Sequence, residues 1–282
     1  MPDSPLQEIV CCMGQPVAGN PTQFMMEHAF AAAGLDWRYL TLEVAPDSLG
    51  DAVRGLRAMG IRGANITGPH QTTVGAFLDE LSEVARWTGA VNCVHREGQR
   101  LIGDNTDGKG FVQSLRPVTD PAGKNVVILG AGGAARAVAV ALARAGAAPI
   151  TVVNRTAERG QALVTLLSVQ VGVPARFVHL SGDYAVDENA QIVINATSIG
   201  QDDCEARVPL DVATLRPEMT VADVIFNPPQ THFLRAAAAR GCATADGLGM
   251  LVHQGAVAFR IWTGGDPDAG VMREALEEYL EI

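Results

Sequence analysis

The sequence predicts an α/β fold of two domains, and three observations carry that reading. An apolar run rich in β-branched residues at 125–129 meets a glycine cluster and then an alanine-rich helical segment, and a second apolar strand at 149–153 follows one helix later. From residue 1 to 107, short apolar strands alternate with helical patterns. After the last strand the chain returns to helix, at about 250–262 and again at 268–280. At 282 residues there is room for two cores, and 48% hydrophobic residues are enough to fill them.

Taken in order, the first strand is expected at 9–13, where Ile9-Val10-Cys11-Cys12-Met13 runs unbroken into Gly14. Further strands are expected at 37–44, 61–66 and 90–94, with helices at 24–33 and 49–59 between them. Beyond the glycine cluster come strands at 176–180, 192–195 and 220–225. Residues 1–107, completed by 244–282, are therefore read as an α/β substrate-binding domain, and 108–243 as a dinucleotide-binding domain of Rossmann type. The functional site is expected in the cleft between them.

The glycine cluster carries the chemistry. Gly130-Ala131-Gly132-Gly133-Ala134 is close to G-x-G-x-x-A, placed between a strand and a helix. Glycines there let the backbone turn sharply and approach a pyrophosphate, which the helix N-terminus attracts through its N–H groups and dipole. The end of the second strand selects the dinucleotide. NAD sites carry Asp or Glu at that point to bond the ribose 2′-OH. This chain has Asn154-Arg155-Thr156 and then Arg159, so two guanidiniums stand ready for a 2′-phosphate. NADP is the expected cofactor, ahead of NAD.

Composition narrows the partners. A formal charge of −10 disfavours nucleic acid and anionic membranes. The alanine-rich stretch 134–148 is too short to span a membrane and carries Arg136 and Arg144, and no basic region precedes an apolar one at the start. Five cysteines without a C-x-x-C pair argue against a disulfide frame or a zinc site. The expectation is a cytoplasmic enzyme without a metal, monomer or homodimer, acting on a small molecule.

The order of motifs resembles the shikimate dehydrogenase family. It runs Gly63-Ala64-Asn65-Ile66-Thr67-Gly68-Pro69-His70, Gly89-Ala90-Val91-Asn92, Asp104-Asn105-Thr106-Asp107-Gly108, the glycine loop, Asn154-Arg155-Thr156, Asn195-Ala196-Thr197-Ser198-Ile199-Gly200, and Gly247-Leu248-Gly249-Met250-Leu251-Val252-His253-Gln254. The resemblance spans residues 14 to 264. It implies hydride exchange between NADP(H) and shikimate, quinate or a related cyclic hydroxy acid, with C-terminal helices that fold back onto the first domain. By position, Asp107 matches the catalytic aspartate. Thr67, Asn92 and Gln254 match substrate-hydroxyl partners. Asn154, Arg155, Thr156 and Arg159 match the phosphate clamp, and Thr197, Gly247 and Met250 match residues beside the cofactor.

Departures cluster in the substrate site. The family's catalytic lysine, two residues after the motif proline, is Gln71 here, and a glutamine cannot take the proton that alcohol oxidation releases. The only lysines are Lys109, expected on a solvent face, and Lys124, ahead of the nucleotide-binding strand. Histidine as a residue type is able to exchange a proton near neutrality, but His70 is read as structural. Asp107 is left as the acid–base group, with a pKa expected above that of a lysine-paired relative because no ammonium favours its ionised form. The family's S-x-S carboxylate motif becomes Asn20-Pro21-Thr22, in which Asn20 and Thr22 still offer neutral donors. Phe226 replaces a tyrosine near the nicotinamide. The nucleotide motifs, by contrast, are intact. That asymmetry predicts a redirected dehydrogenase, the competing reading being a non-catalytic NADP-binding sensor.

Overall fold

The structure, a computed structural model, describes residues 6–282. The elements begin β1 (Glu8–Gly14), α1 (Thr22–Ala32), β2 (Trp37–Glu43), α2 (Leu49–Ala58), β3 (Gly63–Ile66), β4 (Glu80–Leu81), α3 (Glu83–Thr88), β5 (Cys93–Glu97), β6 (Arg100–Asp104) and α4 (Asp107–Leu115). They continue β7 (Val126–Leu129), α5 (Gly133–Arg144), β8 (Ile150–Asn154), α6 (Ala157–Thr165), β9 (Ala175–His179), β10 (Ile192–Asn195), β11 (Thr220–Asp223), α7 (His232–Ala239), β12 (Ala243–Ala245), α8 (Gly247–Thr263) and α9 (Ala269–Leu280). The chain divides into two compact units, one of residues up to 106 together with 255–282, the other of 107–254. The return to the first unit falls inside α8, where the sequence reading sets it at residue 244.

The first unit is built on a mixed sheet in the order β2-β1-β3-β5-β6-β4. β1 pairs in parallel with β2 and β3, β5 runs antiparallel to β3 and β6, and β4 is parallel to β6. β1 reads as an unbroken apolar run because both faces of this inner strand are covered. Cys11 and Met13 join Leu49, Val53 and Leu56 of α2 in one core. On the C-terminal segment of α8, Phe259 stacks on Phe30 of α1 at 5.3 Å, and Trp262 Nε1 donates to the Val94 carbonyl at 3.0 Å. α9 packs on α1.

The β5–β6 hairpin is the main difference from the expected elements here. Residues 90–92 were expected within a strand, but pairing begins only at Cys93. Val91 N–H donates instead to the Gln71 carbonyl, so this segment laces two loops together. β6 escapes sequence reading because its charged ends break the apolar pattern, while Gly98, at φ +60, supplies the turn.

The second unit holds six parallel strands in the order β12-β11-β10-β7-β8-β9. Strand order runs outward both ways from β7, which creates a switch point between β7 and β10, the arrangement of a Rossmann-type sheet. β7, β10 and β11 are buried along their whole length, as parallel strands covered on both faces must be. β11 stops at Asp223, two residues before the expected end, because its side chain accepts the Ile225 N–H at 3.1 Å and turns the chain. α7 begins where Thr231 accepts from Leu234 N–H.

α4 lies so close to α5 that a Cβ placed on Gly108 would sit 2.2 Å from the Ala137 carbonyl oxygen. Gly108→Ala is therefore expected to destabilise the protein by about 1–3 kcal/mol through overpacking. Gly55 of α2 is the control, since its added Cβ would meet only Met59 at an ordinary 3.5 Å. Gly55→Ala should raise stability by up to ~1 kcal/mol through helix propensity. Thermal unfolding of both variants checks the pair, and a Gly108→Ala protein as stable as its parent would contradict the close packing.

Candidate active site

At the switch point of the second unit lies a cavity of about 490 Å³. Three turns wall it: Gly132 to Ala134 after β7, Ala196 to Ser198 after β10, and Val224 to Asn227 after β11, with Gln201 and Asp202 beside them. The first turn works because Gly130 adopts φ +112 and approaches β10 so closely that a Cβ would lie 2.5 Å from the Ala196 carbonyl oxygen. Gly132 and Gly133 differ: a Cβ on either would meet no protein atom within 4 Å. Both are small toward the cavity rather than toward the protein. α5 starts at Gly133 with no side-chain cap and no acidic residue in its first turn. Its N–H groups and positive dipole end are thus presented to an anion, and the cradle fits a pyrophosphate.

At the end of β8, Asn154 Nδ2 donates to the Thr156 carbonyl at 2.9 Å and shapes the turn into α6. Arg155 and Arg159 are exposed and make no ion pair or hydrogen bond among the described residues. Glu158 shares their turn but is exposed and engages neither. Two uncommitted guanidiniums at this position suit a phosphate monoester.

Behind the cavity wall is a buried polar network that sequence reading caught only at Thr197. Asp223, fully buried, accepts from Asn195 Nδ2 at 3.0 Å and from Ile225 N–H on one oxygen, and from Thr231 Oγ1 at 2.8 Å on the other. Asn195 Oδ1 in turn accepts from Thr197 Oγ1 at 2.7 Å and from Thr197 N–H at 3.2 Å. Burial pushes the Asp223 carboxyl up to about 6, while these hydrogen bonds oppose the rise. The signal available in the sequence was an aspartate directly after the apolar pair Val221-Ala222 at the end of a strand.

Asp107 opens α4 and is half-buried. α4 meets α8 in this unit at Gly110, where a Cβ would lie 2.4 Å from the Gln254 backbone nitrogen. Gln254 itself is buried. Gly247 packs its backbone on the Ile225 carbonyl, behind the cavity wall, and Met250 is buried one turn on. Neither lines the cavity, whereas Phe226 does. Ala131 is buried beneath the glycine turn. Lys109 is exposed on α4, and Lys124 Nζ donates to Thr119 Oγ1.

In the first unit, Asn92 is spent on the strand that leads to Asp107. Its Nδ2 donates to Thr106 Oγ1 at 3.0 Å, and its Oδ1 accepts the Thr106 N–H at 2.7 Å. The residue before Asp107 is thus held by a two-point clasp. Thr67 is half-buried after β3, and its N–H donates to the Met13 carbonyl at 3.0 Å. Gln71 folds back, its Nε2 donating to the Ile66 carbonyl at 3.2 Å. His70 is buried and bonds the Val44 carbonyl at 2.7 Å; a carbonyl has no proton to give, so Nε2 carries it and the ring serves as a structural donor. Asn20 Oδ1 accepts the Thr22 N–H at 2.9 Å. The hydroxyl of Thr22, though the residue is buried, has no hydrogen-bond partner among the described residues. Among the described residues no group of His, Cys, Asp and Glu is gathered to hold a metal ion, and no helix is long and apolar enough to cross a membrane.

Three family models match the chain: the shikimate dehydrogenase substrate binding domain over residues 12–94, shikimate / quinate 5-dehydrogenase over 114–203, and the shikimate 5′-dehydrogenase C-terminal domain over 247–277. The NADP(+) shikimate dehydrogenase of Moorella thermoacetica is 44% identical over 276 residues, covering 96% of this chain and 93% of that protein. Among solved structures, the 5-ketofructose reductase of Gluconobacter sp. strain CHM43 is 48% identical with a TM-score of 0.95, covering 98% of this chain and 99% of that one. The shikimate 5-dehydrogenase of Thermus thermophilus, solved with NADP(H) and shikimate, is 36% identical with a TM-score of 0.86, covering 97% and 100%. By identity sustained over nearly its whole length, the chain belongs to the shikimate/quinate dehydrogenase family.

Proposed function

We propose that this protein is an NADP-dependent oxidoreductase that interconverts a polyhydroxylated ketone and its alcohol. The observation that carries the cofactor assignment is the cavity at the switch point, where Gly132 and Gly133 leave open space at an uncapped helix N-terminus. Arg155 and Arg159, uncommitted at the end of β8, supply the preference for a 2′-phosphate. When bound, NADPH supplies the hydride and NADP+ takes it back.

The chain's own task is to hold the substrate hydroxyls and to move one proton at the reacting oxygen. Asp107 is the proposed proton carrier, since its carboxylate can accept from an alcohol and its acid form can give to a ketone oxygen. Gln71 cannot titrate; its amide is proposed to donate to substrate once released from the Ile66 carbonyl. Thr67 and Gln254 are the proposed hydroxyl partners. Asn92 also takes this role while clasping Thr106.

The substrate class follows from Asn20 and Thr22. Where the family's S-x-S motif presents a pair of hydroxyls to a carboxylate, Asn20 uses its oxygen in a local turn, and only the Asn20 amide and the Thr22 hydroxyl remain. Neutral donors of this kind suit a polyol as well as an anion. Identity of 48% to a 5-ketofructose reductase favours a neutral polyhydroxy ketone of that size. Identity of 44% to a shikimate dehydrogenase favours the second reading, 3-dehydroshikimate or a related cyclic keto acid reduced to its hydroxy acid.

Three outcomes are expected. NADPH should bind more tightly than NADH, and Arg155→Asp should erase the difference, a loss of at least ~1.5 kcal/mol for a charge-assisted contact; equal affinities in the unmodified protein, measured by the fluorescence of the reduced nicotinamide, would sink the assignment. Asp107→Asn should lower turnover by roughly 10²–10⁴-fold, the share of positioned acid–base catalysis, with NADPH affinity unchanged; unaltered turnover would move the proton transfer elsewhere. Finally, NADPH oxidation should be at least about tenfold more efficient with 5-ketofructose than with 3-dehydroshikimate, about 1.4 kcal/mol in barrier. Gln71→Lys should raise the second rate by about tenfold if the pocket still fits a cyclic acid. Efficient 3-dehydroshikimate reduction by the unmodified protein would overturn the polyol reading. Tight NADPH binding with no turnover of any polyhydroxy ketone or cyclic keto acid would point to a sensor.

A further inference from the structure

We propose that Asp223 is a positioning residue that ties the turn after β10 and the turn after β11 into one rigid frame for the dinucleotide. The inference rests on the cavity being the dinucleotide site, as assigned above.

The frame can be traced bond by bond from a single carboxylate oxygen. Asp223 Oδ1 accepts the Ile225 N–H at 3.1 Å, which fixes the turn of 224–227. The same oxygen accepts from Asn195 Nδ2 at 3.0 Å. Asn195 then turns its own oxygen to the N–H and hydroxyl of Thr197, and its nitrogen also donates to the Ile199 carbonyl at 3.1 Å. Thr197 Oγ1 accepts the Ile199 N–H at 3.1 Å and completes that turn. Two of the three walls of the cavity therefore hang on one atom. The other oxygen, Oδ2, accepts from Thr231, whose hydroxyl oxygen caps α7 by accepting from Leu234 N–H at 3.3 Å.

Asp223 is costly as a mere filler. It is fully buried, the residues before it in β11, Val221 and Ala222, are apolar, and no charged side chain among the described residues pairs with it; its partners are amides and a hydroxyl. A carboxylate nonetheless does here what no neutral isostere can. It offers acceptors to every donor that converges on it and presents no donor of its own. An asparagine would aim an N–H₂ at Thr231, whose hydroxyl proton would have to turn away. The charge also strengthens each bond to the turns. Loosened turns must be ordered when the ligand binds, and that cost is read as lost affinity.

The probe is NADPH, titrated by its own fluorescence at pH 8 against the full-length protein, with thermal unfolding of the ligand-free protein measured in parallel. Asp223→Asn is expected to weaken NADPH binding at least about tenfold while the unfolding temperature stays the same or rises, because a buried charge has been removed. Thr231→Val should weaken binding about threefold, and Thr231→Ser, which keeps the hydroxyl, should restore it. That second pair decides the matter if Asp223→Asn does not accumulate as folded protein. Unchanged NADPH affinity in Asp223→Asn, or affinity and unfolding temperature falling together in all three variants, would overturn the positioning role and leave an ordinary core contact. If the unmodified protein fails to bind NADPH, both this inference and the cofactor assignment fall; if it binds and Asp223→Asn binds equally, only this inference falls.

Discussion

Everything at the nucleotide end of this protein depends on how closely the turn after β7 presses on the end of β10. Gly130 sits at a positive φ with only a hydrogen where any other residue would meet the Ala196 carbonyl. That contact brings an uncapped helix N-terminus beside a second turn and leaves a cavity between them. Attraction for a phosphate follows from unpaired N–H groups and the helix dipole, without any charged side chain in the cradle itself. The proposed role of the arginines at the end of β8 is to add selectivity to a site whose attraction for phosphate comes from the backbone.

Polar residues elsewhere serve placement before chemistry. Asn92 binds both the backbone and the side chain of Thr106, the residue before Asp107, while His70, next to Gln71, is consumed as a donor to the Val44 carbonyl. Asp107 is thus approached by a segment with little freedom, which would favour the proton transfer proposed for it, since a positioned group gains most when its position is already set. Gly108 and Gly110 make the same point from the other side, since each lets α4 approach a neighbouring helix to backbone distance.

The uneven pattern of change also has physical content. Residues that hold a dinucleotide face an invariant ligand, and this chain keeps the glycine turn together with Arg155 and Arg159 at the end of β8. Residues that hold substrate face whatever molecule the enzyme meets. At the proposed substrate positions this chain has Gln71 where the family carries an ammonium and Asn20 where it carries a hydroxyl, Thr22 keeps its hydroxyl, and Phe226 carries none into the cavity. The change at Gln71 removes a charge suited to an acidic ring, Asn20 and Thr22 keep neutral donors, and none of these positions holds a cation. These residues are the ground on which a neutral polyhydroxylated substrate is proposed.

The two-domain α/β fold, the parallel sheet, the helical tail and the glycine cradle were all legible in the sequence, because period, length and glycine placement are local and each has a physical meaning on its own. The position of Arg155 and Arg159 at the end of a strand one helix past the glycines was legible for the same reason. The hairpin of β5 and β6 was not, since its strands are short and charged at their ends and are specified by partners rather than by pattern. Nor was the use of each polar side chain. Asn92 as a clasp on Thr106, Gln71 folded onto Ile66, and Asp223 holding Asn195 and Thr231 join residues up to 28 positions apart. A hydrogen bond of that kind is a statement about distance in space, and only the tertiary structure brings its donor and acceptor together.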